Sequence, residues 1–106
     1  MTNTEPYILE GRAGALASYP HARRVGDLLF LSGTSSRRAD NSHEGVTIHE
    51  DGTVEKDIAV QTKAVIENMR VILNAAGLDL EHLVDMSTFL VNMDDFPGYN
   101  LSLIHI

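Results

Sequence analysis

The chain contains no cysteine and no tryptophan in its 106 residues. A disulfide framework, a thiolate zinc site and a thiol nucleophile are therefore excluded, and the composition fits a reducing compartment. Proline is scarce, at 3 residues, and aromatic side chains make up 6%. No run approaches the roughly 20 apolar residues that span a bilayer. The opening residues, MTNTEPYILEG, carry neither the basic start nor the apolar stretch of a secretory signal. A cytoplasmic location is expected. Positive charge is also in short supply, since 8 Lys and Arg stand against 15 Asp and Glu for a formal charge of −7. That balance argues against a nucleic-acid backbone or an anionic membrane as the main partner, because both attract basic surfaces. An anionic ligand has to find a local cluster of Arg or Lys.

What is present fits one small domain. A chain of this length buries about two-thirds of its surface on folding, a thin margin that an oligomer would reinforce. Ala22–Val25 and Leu28–Ser32 are extended runs around Gly26-Asp27, which predicts a hairpin with a type II′ turn. Val46–Glu50 and Thr53–Val54 flank Asp51-Gly52, which predicts a smaller hairpin with a type I′ turn. Between them, Thr34 to Gly45 is polar and turn-rich. Ile58, Val65, Met69, Ile72 and Ala76 share one stripe of an α-helix that Asp57 can cap and Gly77 can end. Gln61, Lys63, Glu67, Arg70 and Asn74 then occupy its water-facing side. Val84 to Met93 is β-branched and alternating enough to predict a strand. Asp94-Asp95 ahead of Phe96-Pro97 predicts the start of a second helix, with aspartate as the cap and proline in the first turn. This order of elements indicates an α+β domain.

Leu101–Ile106 reads LSLIHI, the translation of a transposase-end sequence used in preparing sequencing libraries. Processing scars are set aside before fold reasoning. These six residues are therefore expected to be a non-native tail that does not continue the helix, with the native frame running past Asn100; a natural short apolar tail is the alternative the letters permit.

Familiar catalytic motifs are absent. The glycines do not fall at phosphate-loop spacing. His21, His43, His49, His82 and His105 show no HExxH or paired zinc spacing, so no metal is expected. Three patches remain. Ser32-Gly33-Thr34-Ser35-Ser36-Arg37-Arg38 sets hydroxyls and backbone N–H groups at a strand end before two guanidiniums. It suits either a carboxylate-binding loop or a solvated turn. Tyr19-Pro20-His21, with Arg23-Arg24 beyond, offers a phenol that is either functional or an ordinary half-buried aromatic. Asp94 to Asn100 offers acids better suited to capping than to base catalysis, and an asparagine that would pass as a polar helix residue.

At these patches the sequence resembles the reactive intermediate deaminase family (Rid, YjgF-like). The resemblance rests on Tyr19, on Val25-Gly26-Asp27-Leu28-Leu29-Phe30-Leu31-Ser32-Gly33, and on Asp57-Ile58 with Gln61-Thr62. It continues through Glu67-Asn68-Met69, Ala75-Ala76-Gly77-Leu78, Phe89-Leu90-Val91, Asp95-Phe96 and Asn100. SGTSSRRADN and TFLVNMDDFPGYN look most like the 2-aminomuconate deaminase branch.

The resemblance implies a chorismate-mutase-like α+β fold with a mixed sheet packed on helices. It also implies a homotrimer with ligand clefts between subunits. Residues 1–18 would form a lead-in, residues 19–100 an incomplete Rid-like domain, and residues 101–106 the tail. Family members hydrolyse enamines or imines without metal or organic cofactor. For this branch the reaction is 2-aminomuconate to 4-oxalocrotonate and ammonia, in the catabolism of aromatic compounds. Ser32, Asn100 and Tyr19 fall on catalytic positions, although SYPH stands where many relatives have a GPYS-like string. Gly33 falls beside the ligand, and Arg37 or Arg38 would hold a carboxylate. The family's carboxylate-binding Arg and late Glu lie in final strands with no counterpart here. A non-catalytic carboxylate-binding trimer and an inactive fragment are the alternatives.

Overall fold

A computed structural model describes residues 4–14 and 19–104. Its first sheet joins β1 (Thr4–Tyr7), β2 (Ala22–Val25) and β3 (Leu28–Leu31) in that order, with both ladders antiparallel. The β2–β3 hairpin closes as expected: Val25 pairs with Leu28, and Gly26 takes φ +60°, the backbone of a type II′ first position. β1 falls in the expected lead-in and was not anticipated as a strand. It pairs Tyr7 with Ala22 and Thr4 with Val25.

The second sheet, β4 (Val46–Ile48) with β5 (Val54–Lys56), is also antiparallel. Here the expected type I′ turn is corrected. The loop is longer, with the His49 N–H donating to Thr53 O and the Gly52 N–H to His49 O. Gly52 takes φ +88° while Asp51 is not left-handed, so only one of the two positive-φ residues that type I′ needs is present.

α1 (Ile58–Ala75) begins where Asp57 accepts from the Ala59 and Val60 N–H groups. It ends in a left-handed Gly77, φ +78°, whose N–H donates to Asn74 O while Leu78 N–H reaches back to Leu73 O. Its buried residues are Thr62, Ile66, Ile72 and Leu73. Of the expected stripe only Ile72 is buried, and Ile58, Val65, Met69 and Ala76 are half-buried. α2 (Phe96–Ile104) packs across α1, which widens the covered arc beyond one stripe. The approach is close at Gly98, where a Cβ would sit 2.6 Å from the Ile58 methyl.

Three further expectations are corrected. Val84–Met93 forms no strand: Met93 opens a 3₁₀ turn, Val84, Phe89 and Val91 are 88%, 93% and 100% exposed, and no described residue lies alongside to build a ladder. A β-propensity run becomes a strand only with a partner. The cap before α2 is Asn92, which accepts from the Asp94 N–H, and Asp94-Asp95 sit within a 3₁₀ turn (Met93–Asp95). The last turn continues through Leu101–Ile104, so four of the six tail residues are helical, and His105 lies outside the described residues.

The core is thin, with Ala22, Ile66, Ile72 and Leu73 as its buried apolar residues. The radius of gyration is 15.1 Å, above the roughly 13 Å of a compact chain this long. The excess surface shows on the first sheet. Register puts Ala22, Leu29 and Leu31 on one face and Val25, Leu28 and Phe30 on the other, where Leu28 and Phe30 remain 53% and 57% exposed.

Candidate functional site

β3 ends at Leu31, and the chain then runs as the polar loop beside α1. Together with residues near Gly11 and the Tyr19–His21 lead into β2, this loop and α1 enclose a cleft of about 820 Å³. Tyr19, Ser32, Gly33, Arg37 and Arg38 all line it. Asn100 does not: it is exposed on α2, which contributes no residue to the cleft.

Four cations, Arg12, Arg37, Arg38 and Lys63, line the cleft against two carboxylates, Glu44 and Glu67. In a chain of net charge −7 this is a local excess of positive charge, and a concave wall focuses such a field on an anion. Sequence reasoning placed Lys63 and Glu67 on a plain water-facing side of the helix; the structure places them on the cleft wall.

The loop is held in shape by its own polar groups. Arg38 N–H donates to Ser42 O, Asn41 N–H donates to Arg38 O, and Asn41 takes φ +71°. Asp40 Oδ1 accepts from both the Ser42 hydroxyl, at 2.6 Å, and its N–H, at 2.9 Å. The β4–β5 loop repeats this geometry, with Asp51 accepting from Thr53 and Gly52 at the left-handed position. The hydroxyl donors Ser42 and Thr53, followed by their backbone N–H groups, hold Asp40 and Asp51 below the usual carboxylate range. Arg38 Nε donates to Glu44 at 2.8 Å, which lowers the Glu44 carboxyl and raises the Arg38 guanidinium. Arg37 donates to Gly14 O and, at 3.4 Å, to Asn41.

Ser32 Oγ donates to Pro20 O at 2.6 Å, so its proton is committed to a carbonyl while its lone pairs remain available as acceptors. His21 cannot activate it. The Leu9 N–H can only donate, so His21 Nδ1 accepts at 3.1 Å; the Ala13 carbonyl can only accept, so Nε2 donates at 2.9 Å. The two contacts select the neutral Nε2–H tautomer and make His21 a strap between β2 and the preceding chain. Gly33 has open space around it, with nothing within 4 Å of an added Cβ, so the fold itself does not require glycine there.

Asn68 on α1 is a residue the site analysis of the sequence missed. Its amide donates to Ser35 O at 2.9 Å and Arg37 O at 3.3 Å, and its Oδ1 accepts from Arg12 at 2.7 Å. It fixes the loop against the helix. Among the described residues no group of three His, Asp or Glu is placed to hold a metal, and no helix is long and apolar enough to cross a membrane.

This two-sheet, two-helix α+β arrangement is that of a known family. The family profile of Endoribonuclease L-PSP matches residues 10–103. The chain belongs to that family, the YjgF or Rid family of the sequence resemblance. It is 33% identical to Protein HMF1 of Saccharomyces cerevisiae over 100 residues, covering 94% of this chain and 70% of the relative. The crystal structure of yeast YEO7 matches with a TM-score of 0.81 at 31% identity, over 97% of this chain and 74% of that one. Escherichia coli TdcF, solved with bound serine, matches with a TM-score of 0.74 at 24% identity, over 95% and 72%.

Proposed function

We propose that the cleft hydrolyses an enamine or imine acid, with 2-aminomuconate as substrate and 4-oxalocrotonate and ammonia as products. The observation that carries this reading is that the loop residues Ser32, Gly33, Arg37 and Arg38 and the preceding Tyr19 line one positively charged cleft closed on its other side by α1. The enamine takes a proton at carbon, water adds to the resulting imine carbon, and the carbinolamine expels ammonia as its C–N bond breaks. Such a reaction needs an anchored carboxylate, an oriented water and a path for protons.

Arg37 and Arg38 keep N–H groups beyond those spent on Gly14, Asn41, Ser42 and Glu44, and these serve the carboxylate. Ser32 acts by accepting from water or the substrate N–H, not as a nucleophile. Gly33 lets the substrate approach the backbone, and the Tyr19 phenol moves a proton. In a homotrimer Asn100 is assigned to the cleft that a neighbouring protomer completes. The bare face of Val25, Leu28 and Phe30 supports that assembly, since a trimer would cover it.

The committed Ser32 proton and the strapped His21 favour a second reading, a trimer that binds a small carboxylate without turnover. The structure of the TdcF relative with serine is in keeping with it. The endoribonuclease of the family description is disfavoured by the net charge of −7. Ammonia release from freshly generated 2-aminomuconate separates the first two: a hydrolase releases it above the spontaneous rate, whereas a binder shows affinity alone. A raised KM in Arg37→Ala or Arg38→Ala places those residues on the substrate, and unchanged KM and kcat in both remove them.

A further inference from the structure

Of the four cations lining the cleft, three hydrogen-bond within the protein, and of these only Arg38 meets a carboxylate. Arg12 donates to Asn68, Arg37 to Gly14 and Asn41, and Arg38 to Glu44 and Ser42. The two cleft carboxylates are also matched, Glu44 by Arg38 at 2.8 Å and Glu67 by Arg70 at 3.8 Å. Lys63 differs: among the described residues its ammonium has neither an ion pair nor a hydrogen bond. Glu67, one turn further along α1, does not come within pairing distance, and lysine preceding glutamate is the weaker order for such a pair.

Lys63 therefore presents an uncompensated positive charge on the α1 wall, while Arg37 and Arg38 belong to the loop wall. Two cationic walls in one cleft suit a ligand with a negative group at each end. A monocarboxylate would use only one of them. We propose that Lys63 anchors the second carboxylate of an acyclic dicarboxylate whose first carboxylate sits on the Arg37-Arg38 loop. Lysine fits this task because it is a point charge on a flexible stem, tolerant of the length and angle of the group it meets. The inference rests on reading the cleft as a small-acid site, and it names the residue that would select diacids over monoacids.

The test uses two stable probes of equal chain length, muconate with two carboxylates and sorbate with one. Affinities are measured by titration calorimetry for the wild-type chain, Lys63→Met and Lys63→Arg. The wild type is expected to prefer muconate about tenfold, the equivalent of one charge-assisted contact. Lys63→Met should lower muconate affinity to that of sorbate and leave sorbate unchanged, and Lys63→Arg should restore the preference. Equal losses for both probes, no loss for either, or no binding by the wild type overturns the proposal. Lys63-dependent muconate binding without ammonia release from 2-aminomuconate would remove the hydrolase reading and leave the diacid site standing. Turnover with a KM that Lys63→Met does not change would do the reverse.

Discussion

Asn68 accepts a 2.7 Å hydrogen bond from Arg12, a residue 56 positions earlier in the chain, while its amide holds the backbone of Ser35 and Arg37. One side chain thus ties three walls of the cleft together. Asn68→Ala removes all of these bonds at partly exposed sites and should destabilise the chain by about 1 kcal/mol. The Arg37-Arg38 loop loses its support, so KM for an acid substrate should rise more than kcat falls. Denaturant unfolding and steady-state kinetics on one preparation check both. A kcat loss at unchanged KM would contradict the positioning role.

Gly45 and Gly33 should respond to alanine in opposite ways. Gly45 holds φ +76°, and a Cβ there would lie 2.8 Å from the Gln61 backbone N and 2.9 Å from Asp57 O. Neither backbone can yield without disturbing the start of α1, so Gly45→Ala should destabilise by about 3 kcal/mol. At Gly33 an added Cβ meets nothing, so Gly33→Ala should leave the melting temperature unchanged or slightly raised while activity falls. A destabilised Gly33→Ala, or one of full activity, would show that the open space is not where substrate approaches.

Acid should erase the contribution of the two Asp-anchored loops. Asp40 and Asp51 are held below the usual carboxylate range by the Ser42 and Thr53 hydroxyls, so their stabilisation is fully present above the unfolded carboxyl pKa, about 4. It is lost as pH falls through the depressed folded values. The double variant Asp40→Ala with Asp51→Ala should melt below the wild type at neutral pH, and the gap should close in strong acid. A gap that widens on acidification would reverse the assigned sign.

The outer face of the first sheet supplies a test of assembly. Phe30 is paired with Arg23 and stands beside Leu28 and Val25 on that face. Phe30→Glu should convert a trimer to monomer in sedimentation velocity, since it sets a carboxylate into each subunit contact. A wild-type monomer, or a Phe30→Glu trimer, would contradict the proposed use of this face.

Local chemistry was legible in the sequence wherever one short segment decides the outcome. Gly26-Asp27 specified its hairpin, and Asp57 and Gly77 marked both ends of α1, because caps and turns need no distant partner. Long-range pairing was not legible. TEPY has little strand character, yet it becomes β1 because β2 offers it an edge, while the stronger β-pattern of Val84 to Met93 stays unpaired. The same division applies to the cleft. Tyr19, Ser32, Gly33, Arg37 and Arg38 carried recognisable patterns, whereas Lys63 read as an ordinary polar helix residue and Asn68 carried no role of its own until the loop was placed against them. Helical spacing tells which residues share a face but not what lies opposite.

The central claim is that this cleft turns over an enamine acid, and ammonia release from freshly generated 2-aminomuconate tests it most directly. With wild-type chain, release should exceed the spontaneous rate in proportion to protein concentration, and Ser32→Ala should reduce it about a hundredfold without unfolding the chain. Release at the spontaneous rate from folded, muconate-binding protein would contradict the claim and leave a binding protein in its place.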